Sequence, residues 1–93
     1  MQNNQKEILL ITQEECAEVT QAISKIFRFG MDGEYNGVSN RERLEDELGD
    51  LQCMINLLIS EGMINQGKLL EAHGRKLEKL KKWSNIFKEK ASQ

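Results

Sequence analysis

No proline occurs anywhere in the 93 residues, and apolar side chains return every third or fourth position over three long stretches. Helices can therefore run uninterrupted, and little else suits the pattern. The first stretch runs from about Gln5 to Phe29 and stops at Gly30, with Gly33 and Gly37 marking an irregular connection after it. Ser39-Asn40-Arg41-Glu42 has the S-x-x-E form of a capping box, which starts a second helix that continues to about Glu61, before Gly62. A third helix begins near Gln66 or Lys68 and carries Leu69, Leu70, Leu77, Leu80, Trp83 and Phe87 before the pattern dissolves into polar residues. With aromatic residues at only 5% and Leu, Ile, Lys and Glu abundant, composition also disfavours a β-rich fold. The expectation is all-α: three main helices, two plain loops and no repeat, forming one domain over residues 1–93.

A chain this short supplies only a few kcal/mol of net stability from one core. The three helices are therefore expected to form an antiparallel four-helix-bundle type of core that is completed by oligomerisation, in a dimer or a tetramer. Thirteen basic residues against fifteen acidic ones create no field that would draw the protein to nucleic acid or to a membrane surface. The longest apolar stretch, Leu51 to Ile59, includes Gln52, Cys53 and Asn56 and is too short to cross a bilayer. The opening Met-Gln-Asn-Asn-Gln-Lys-Glu has no apolar leader segment, so a cytoplasmic location is expected. Cys16 and Cys53 are too few for a disulfide framework, and with His73 alone beside them they make no tetrahedral zinc site; reduced thiols are expected.

The chemistry lies in carboxylates that occupy the wrong side of their helices. Helix one contains Glu14-Glu15-Cys16-Ala17-Glu18 and helix two contains Glu45-Asp46-Glu47-Leu48-Gly49-Asp50, giving i,i+3 pairs Glu15/Glu18 and Glu47/Asp50. Advancing by about 100° per residue, helix one gathers Ile8, Cys16, Val19, Ile23, Ile26 and Phe27 on one arc, extended by Ile11 and Ala22. Glu15 falls between Ala22 and Ile26, and Glu18 beside Ile11. On helix two the stripe is Leu44, Leu48, Leu51, Met54, Ile55 and Leu58, with Glu47 between Met54 and Leu58 and Asp50 between Leu57 and Met54. All four read as half-buried anions.

Like charges gathered in a low dielectric repel, and an unpaired buried carboxylate costs several kcal/mol unless it is protonated, paired or bound to metal. The nearest basic residues are Lys25 and Arg28 on helix one and Arg43 on helix two. Either a buried salt-bridge network or divalent cations must balance the charge, and hard oxygen ligands around a wet site suit Mg²⁺ or Mn²⁺. The glycines from Gly30 to Gly37 lack the G-x-x-x-x-G-K-[ST] arrangement of a phosphate-cradling P-loop, so they read as an ordinary connection, with a loop that closes over a ligand as the minor alternative.

The ordered motifs E-E-x-x-E, 28 intervening residues, then E-x-x-D resemble the MazG-like nucleotide pyrophosphohydrolases of the all-α NTP pyrophosphatase superfamily, which also contains dimeric dUTPases. The resemblance spans about residues 5 to 84, and the phrase Glu14 to Gly30 also looks like small phage-borne members. It implies Mg²⁺ ligated by Glu15, Glu18, Glu47 and Asp50, with Mn²⁺ as a possible substitute. Glu14 would either hold those ligands in place or help activate water, although it sits further from the apolar arc and also reads as a solvated residue. Lys79-Leu80-Lys81-Lys82-Trp83 matches the family's K-x-x-[RK]-[YFW] pattern. Lys79 and Lys82 are accordingly candidate substrate contacts, as are Lys25 and Arg28. Trp83 reads as a core or interface packing residue, His73 as a core histidine on the same stripe, and Lys76 either snorkels outward or points toward a partner subunit's acidic site.

The implied reaction converts a (d)NTP to its (d)NMP and pyrophosphate by attack of metal-activated water between the α and β phosphates. An anionic triphosphate cannot enter an acidic site without cations, so metal dependence should be absolute. Two rivals remain: a non-enzymatic helical interaction module whose acids pair with a partner's lysines, and a nucleic-acid binder using Arg75, Lys76, Lys79, Lys82 and Lys90. The net charge of -2 speaks against the second.

Overall fold

The computed structural model describes residues 1–88. The elements are α1 (Asn3–Phe29), β1 (Glu34–Tyr35), β2 (Val38–Ser39), α2 (Asn40–Ser60) and α3 (Gln66–Trp83). The fold is all-α with three helices, as the periodicity requires. Compact units form over Met1–Met63 and from Ile64 onward.

Helix α1 begins two residues before Gln5 because the Gln5 side-chain oxygen accepts a hydrogen bond from the Gln2 backbone N–H at 3.1 Å, satisfying an N-terminal donor. It ends at Gly30, whose φ of 84° breaks the helix while its N–H still donates to the Ile26 carbonyl at 2.7 Å. The segment that follows is not the plain loop expected from its glycines. It is a two-stranded antiparallel hairpin pairing Glu34 with Ser39 and Tyr35 with Val38. Asn36 (φ 56°) and Gly37 (φ 78°) both adopt the left-handed conformation that a two-residue hairpin turn of the I′ kind demands.

Asn40 fastens this hairpin to both helices. Its buried side-chain amide donates to the Gly30 carbonyl at 2.9 Å, and its backbone N–H donates to the Gly33 carbonyl at 2.9 Å. Gly33 has no room for a side chain, since a Cβ there would lie 2.5 Å from the Phe29 carbonyl oxygen and 3.2 Å from Asn40 Nδ2. Ser39 caps α2 as its S-x-x-E pattern predicts, its hydroxyl accepting from the Glu42 N–H at 3.1 Å.

Helices α1 and α2 pack against each other, and they run antiparallel: Gly30 meets Asn40, while Ala22 shares a cavity with Glu47, further along α2. The seam buries Ala22, Met54 and Leu58. Half-buried Ile8, Ile11, Val19, Ile26, Leu44, Leu51 and Ile55 extend it. Three residues placed on α1's apolar arc are instead exposed, namely Cys16, Ile23 and Phe27, the last at 85%. Leu48 on α2 is exposed too. A helical wheel locates an apolar arc but not which flank of a wide arc a neighbour covers, and α2 covers the flank of Ile8, Val19 and Ala22. Cys16 and Cys53 are free thiols on the surface.

In the second unit, Asn65 caps α3 by accepting from the Lys68 N–H at 2.9 Å, and Ser84 closes it by donating to the Leu80 carbonyl. Helix α3 has no buried residue. The expectation of a core His73 is therefore corrected, and Trp83 lies outside this chain's own core: both are exposed, Trp83 at 77%. A stripe at helical spacing shows that a face is apolar, not that this chain covers it. Lys76 is exposed as well. Among the described residues no helix is long and apolar enough to cross a membrane.

Candidate active site

Glu15 and Glu47 enter the α1–α2 seam because of their register. Seven residues make nearly two turns, so Ile8, Glu15 and Ala22 form one row along α1, and Asn40, Glu47 and Met54 form one along α2. Each glutamate thus stands in a core position between buried or half-buried neighbours. Both are half-buried, and Oε2 of each is covered and lacks a hydrogen-bond partner in the protein. An orphaned, covered carboxylate oxygen is expensive to maintain without a proton or a cation.

Glu18 completes a cluster with them. One carboxylate oxygen from each of Glu15, Glu18 and Glu47 lies within 4.8 Å of the others. Glu18 is exposed rather than half-buried, as are Asp50 and Glu14. The pattern placed Glu18 and Asp50 deeper than they are, because each lies to one side of the Glu15 or Glu47 row, at the open margin of the seam. Asp50 is outside the trio, although its charge reaches both Glu15 and Glu47.

Electrostatics record the crowding. Glu47 is pushed up to about 7, chiefly by a hydrogen bond shared with Glu18, then by burial and by the charges of Glu18, Asp50 and Glu15. The carboxyl of Glu15 is also raised, first by burial and then by Asp50, Glu18 and Glu14. Ion pairs do not relieve the charge: among the described residues the salt bridges are Arg41–Asp32 and Lys81–Glu78, both on the surface and remote in sequence from the trio. The salt-bridge network that the sequence left open is not built among these residues. Three carboxylates gathered this closely, two of them each carrying a covered, partnerless oxygen, match the donor set of a hard divalent cation.

The candidate substrate contacts divide. Lys25 lines a small cavity of about 80 Å³ with Glu18, Gln21, Ala22, Arg43 and Glu47. Arg28, one turn away, is exposed with its guanidinium 5.4 Å from the Phe29 ring, and it lines neither this cavity nor its neighbour. Lys79 and Lys82 are exposed on α3; Lys79 borders a shallow groove with Glu71, Gly74, Arg75 and Glu78, and Lys82 lies over the Trp83 ring at 5.2 Å. Arg75 and Lys76 are exposed on the same helix, and Lys90 lies outside the described residues. Sequence reasoning named Arg43 only as the nearest cation and passed over Gln21. Arg43 stands one turn before Glu47, and that i,i+4 spacing was the available signal.

The family described as the MazG nucleotide pyrophosphohydrolase domain matches residues 3–84, a span that contains both acidic motifs and Lys79–Trp83. No curated protein and no solved structure matches the chain. A family match over most of the sequence, joined to an all-α fold whose helices bring the two acidic motifs together, gives the assignment: the chain belongs to the MazG nucleotide pyrophosphohydrolase domain family.

Proposed function

We propose that this protein is a Mg²⁺-dependent nucleoside triphosphate pyrophosphohydrolase that converts a (d)NTP to the (d)NMP and pyrophosphate, with residues 1–93 acting as one domain on a cytoplasmic nucleotide pool. The observation that carries the reading is the pair of covered, partnerless oxygens on Glu15 and Glu47 beside Glu18. Glu15, Glu18 and Glu47 would hold Mg²⁺, or Mn²⁺ in its place, joined by Asp50 one turn beyond Glu47. The bound cation would supply charge for the phosphate oxygens and a lowered pKa for water. Glu14, exposed next to Glu15, supports that carboxylate or takes up a proton from water. Lys25 stands in the same cavity as Glu18 and Glu47 and offers its ammonium to phosphate. Lys79 and Lys82 would grip phosphates from α3, whereas Arg28's position over Phe29 gives it no such support.

Helix α3 exposes Leu69, Leu70, Leu77 and Trp83, which supports a homo-oligomer, a dimer or a tetramer, as the working form. The test is pyrophosphate release from a panel of NTPs and dNTPs with Mg²⁺, with EDTA and with Glu18→Gln and Asp50→Asn alongside. Release that disappears with EDTA and in both variants supports the enzyme. A folded protein that releases none and gains no thermal stability from Mg²⁺ is instead the helical interaction module.

A further inference from the structure

Beyond Lys25 and Arg43 the small acidic cavity gives way to a second one. This chamber, about 250 Å³, is lined by Lys25, Phe29, Tyr35, Asn40 and Arg43, so the same two cations border both spaces. Moving from α1's middle toward the hairpin, the surface presents carboxylates, then cations, then two aromatic rings. A nucleotide presents its complement in the same order: the reacting α–β bridge, then the α-phosphate, then sugar and base.

The chamber is built to keep its shape. Arg43, half-buried, donates from Nη2 to the Tyr35 carbonyl at 3.0 Å, with its guanidinium 5.8 Å from the Tyr35 ring. One donor of five is thereby spent on orientation, and the others remain for an anion. Neither Lys25 nor Arg43 is in a salt bridge among the described residues. The Asn40 amide is fixed by the Gly30 carbonyl, and the Asn40 N–H bond to the Gly33 carbonyl ties the hairpin down where Gly33 comes closest to the end of α1.

We propose that this chamber is the nucleoside subsite, with Phe29 and Tyr35 as the walls that receive the base and Arg43 with Lys25 holding the α-phosphate at its mouth. The assignment rests on the hydrolase reading only for the position of the bond that breaks. After hydrolysis the monophosphate would remain on the hairpin side and pyrophosphate would leave from the carboxylate side. Tyr35 would then set affinity and the ranking of bases, and Arg43 the preference for a phosphorylated nucleoside.

Two measurements test it. In steady-state kinetics on the substrate panel, Tyr35→Ala should raise KM about tenfold or more, since a base stacked on an aromatic ring loses roughly that much when the ring is removed. It should also flatten the ranking of bases, and Tyr35→Phe should restore both. In the second, nucleoside monophosphate is titrated in EDTA while the Tyr35 and Phe29 ring resonances are followed by NMR. They should shift with the monophosphate more readily than with the unphosphorylated nucleoside, and Arg43→Gln should erase that difference. Active wild type whose KM and base ranking survive Tyr35→Ala, with no ring shifts, would overturn the subsite and leave the hydrolase reading standing. Ring shifts in a protein that hydrolyses nothing would sink the hydrolase reading and uphold the subsite.

Discussion

Helices α1 and α2 present carboxylates where a core should be apolar, whereas α3 presents apolar residues where a solvated helix should be polar. In the first pair, Glu15 and Glu47 occupy rows with Ile8, Ala22, Asn40 and Met54, and the seam around them is closed by Met54 and Leu58. In α3, Leu69, Leu70, Leu77 and Trp83 are exposed and nothing is buried. Each region breaks the ordinary rule of burial in the opposite sense, and on our reading each breach marks something outside the chain, a cation for the seam and another subunit for α3.

The largest expected effect separates function from stability within the seam. Glu47→Gln should lower kcat/KM by about two orders of magnitude or more, because metal-borne charge stabilisation is worth several kcal/mol and each 1.36 kcal/mol is tenfold. The same change should leave the metal-free protein at least as thermostable, since it removes one of several crowded like charges. A variant that is both inactive and less stable in EDTA would mean that Glu47 is a structural partner rather than a site residue.

Next in size is a contrast between the two regions. Leu58→Ala should cost about 2–3 kcal/mol in denaturant unfolding, the lower part of the range for buried leucines because this thin seam can partly collapse. Leu77→Ala on α3 should cost about 1 kcal/mol or less if its face is as open as it stands. Equal costs at high protein concentration, diverging on dilution as the cost at Leu77 falls, would instead show α3 covered in an assembly.

A third effect follows from the crowded acids. The folded-state pKa of Glu47, about 7, lies above its ordinary 4.5, so the folded protein holds a proton that the unfolded chain releases. That contribution is fully present below about 4.5 and is lost as pH rises through about 7. Glu15, shifted in the same direction, adds to the trend. Melting temperature in EDTA should therefore fall across this window. Mg²⁺, which competes with the proton, should stabilise the protein most on the alkaline side. A flat profile in EDTA, or one unchanged in Glu47→Gln, would remove the crowding argument.

How much of this was legible depends on the length scale of each feature. The three helices, the Ser39 cap and the placement of Glu15 and Glu47 follow from spacing along one chain, and spacing is fully present in a sequence. The hairpin was legible too, since Asn36-Gly37 is the strongest two-residue turn signal, but the surrounding glycines read as mere irregularity. The exposure of Cys16, Ile23, Phe27 and Leu48 was not legible, because which flank of an apolar arc is covered depends on the neighbouring helix. The same holds for His73 and Trp83, whose stripe promised a partner without saying that this chain supplies it. Lys25 and Arg43 lie 18 positions apart and meet at one cavity only through the antiparallel pairing of α1 with α2, a fact of tertiary structure.

The smallest effect gives the finest probe of the difference between the two regions. Gly49 in α2 and Gly74 in α3 both lie inside helices, and at each a Cβ would meet nothing within 4 Å. Alanine at either place should therefore stabilise the protein by about 0.5–1 kcal/mol, simply by removing glycine's excess freedom in the unfolded chain. Gly49 sits between Leu48 and Asp50 on the exposed side of α2, so Gly49→Ala serves as the reference. If Gly74→Ala matches it in thermal unfolding, the face of α3 around Gly74 is open in solution. If Gly74→Ala is destabilising instead, more so at concentrations where the protein is oligomeric, a neighbouring backbone approaches where a methyl group would otherwise fit, and the interface of α3 passes through that glycine.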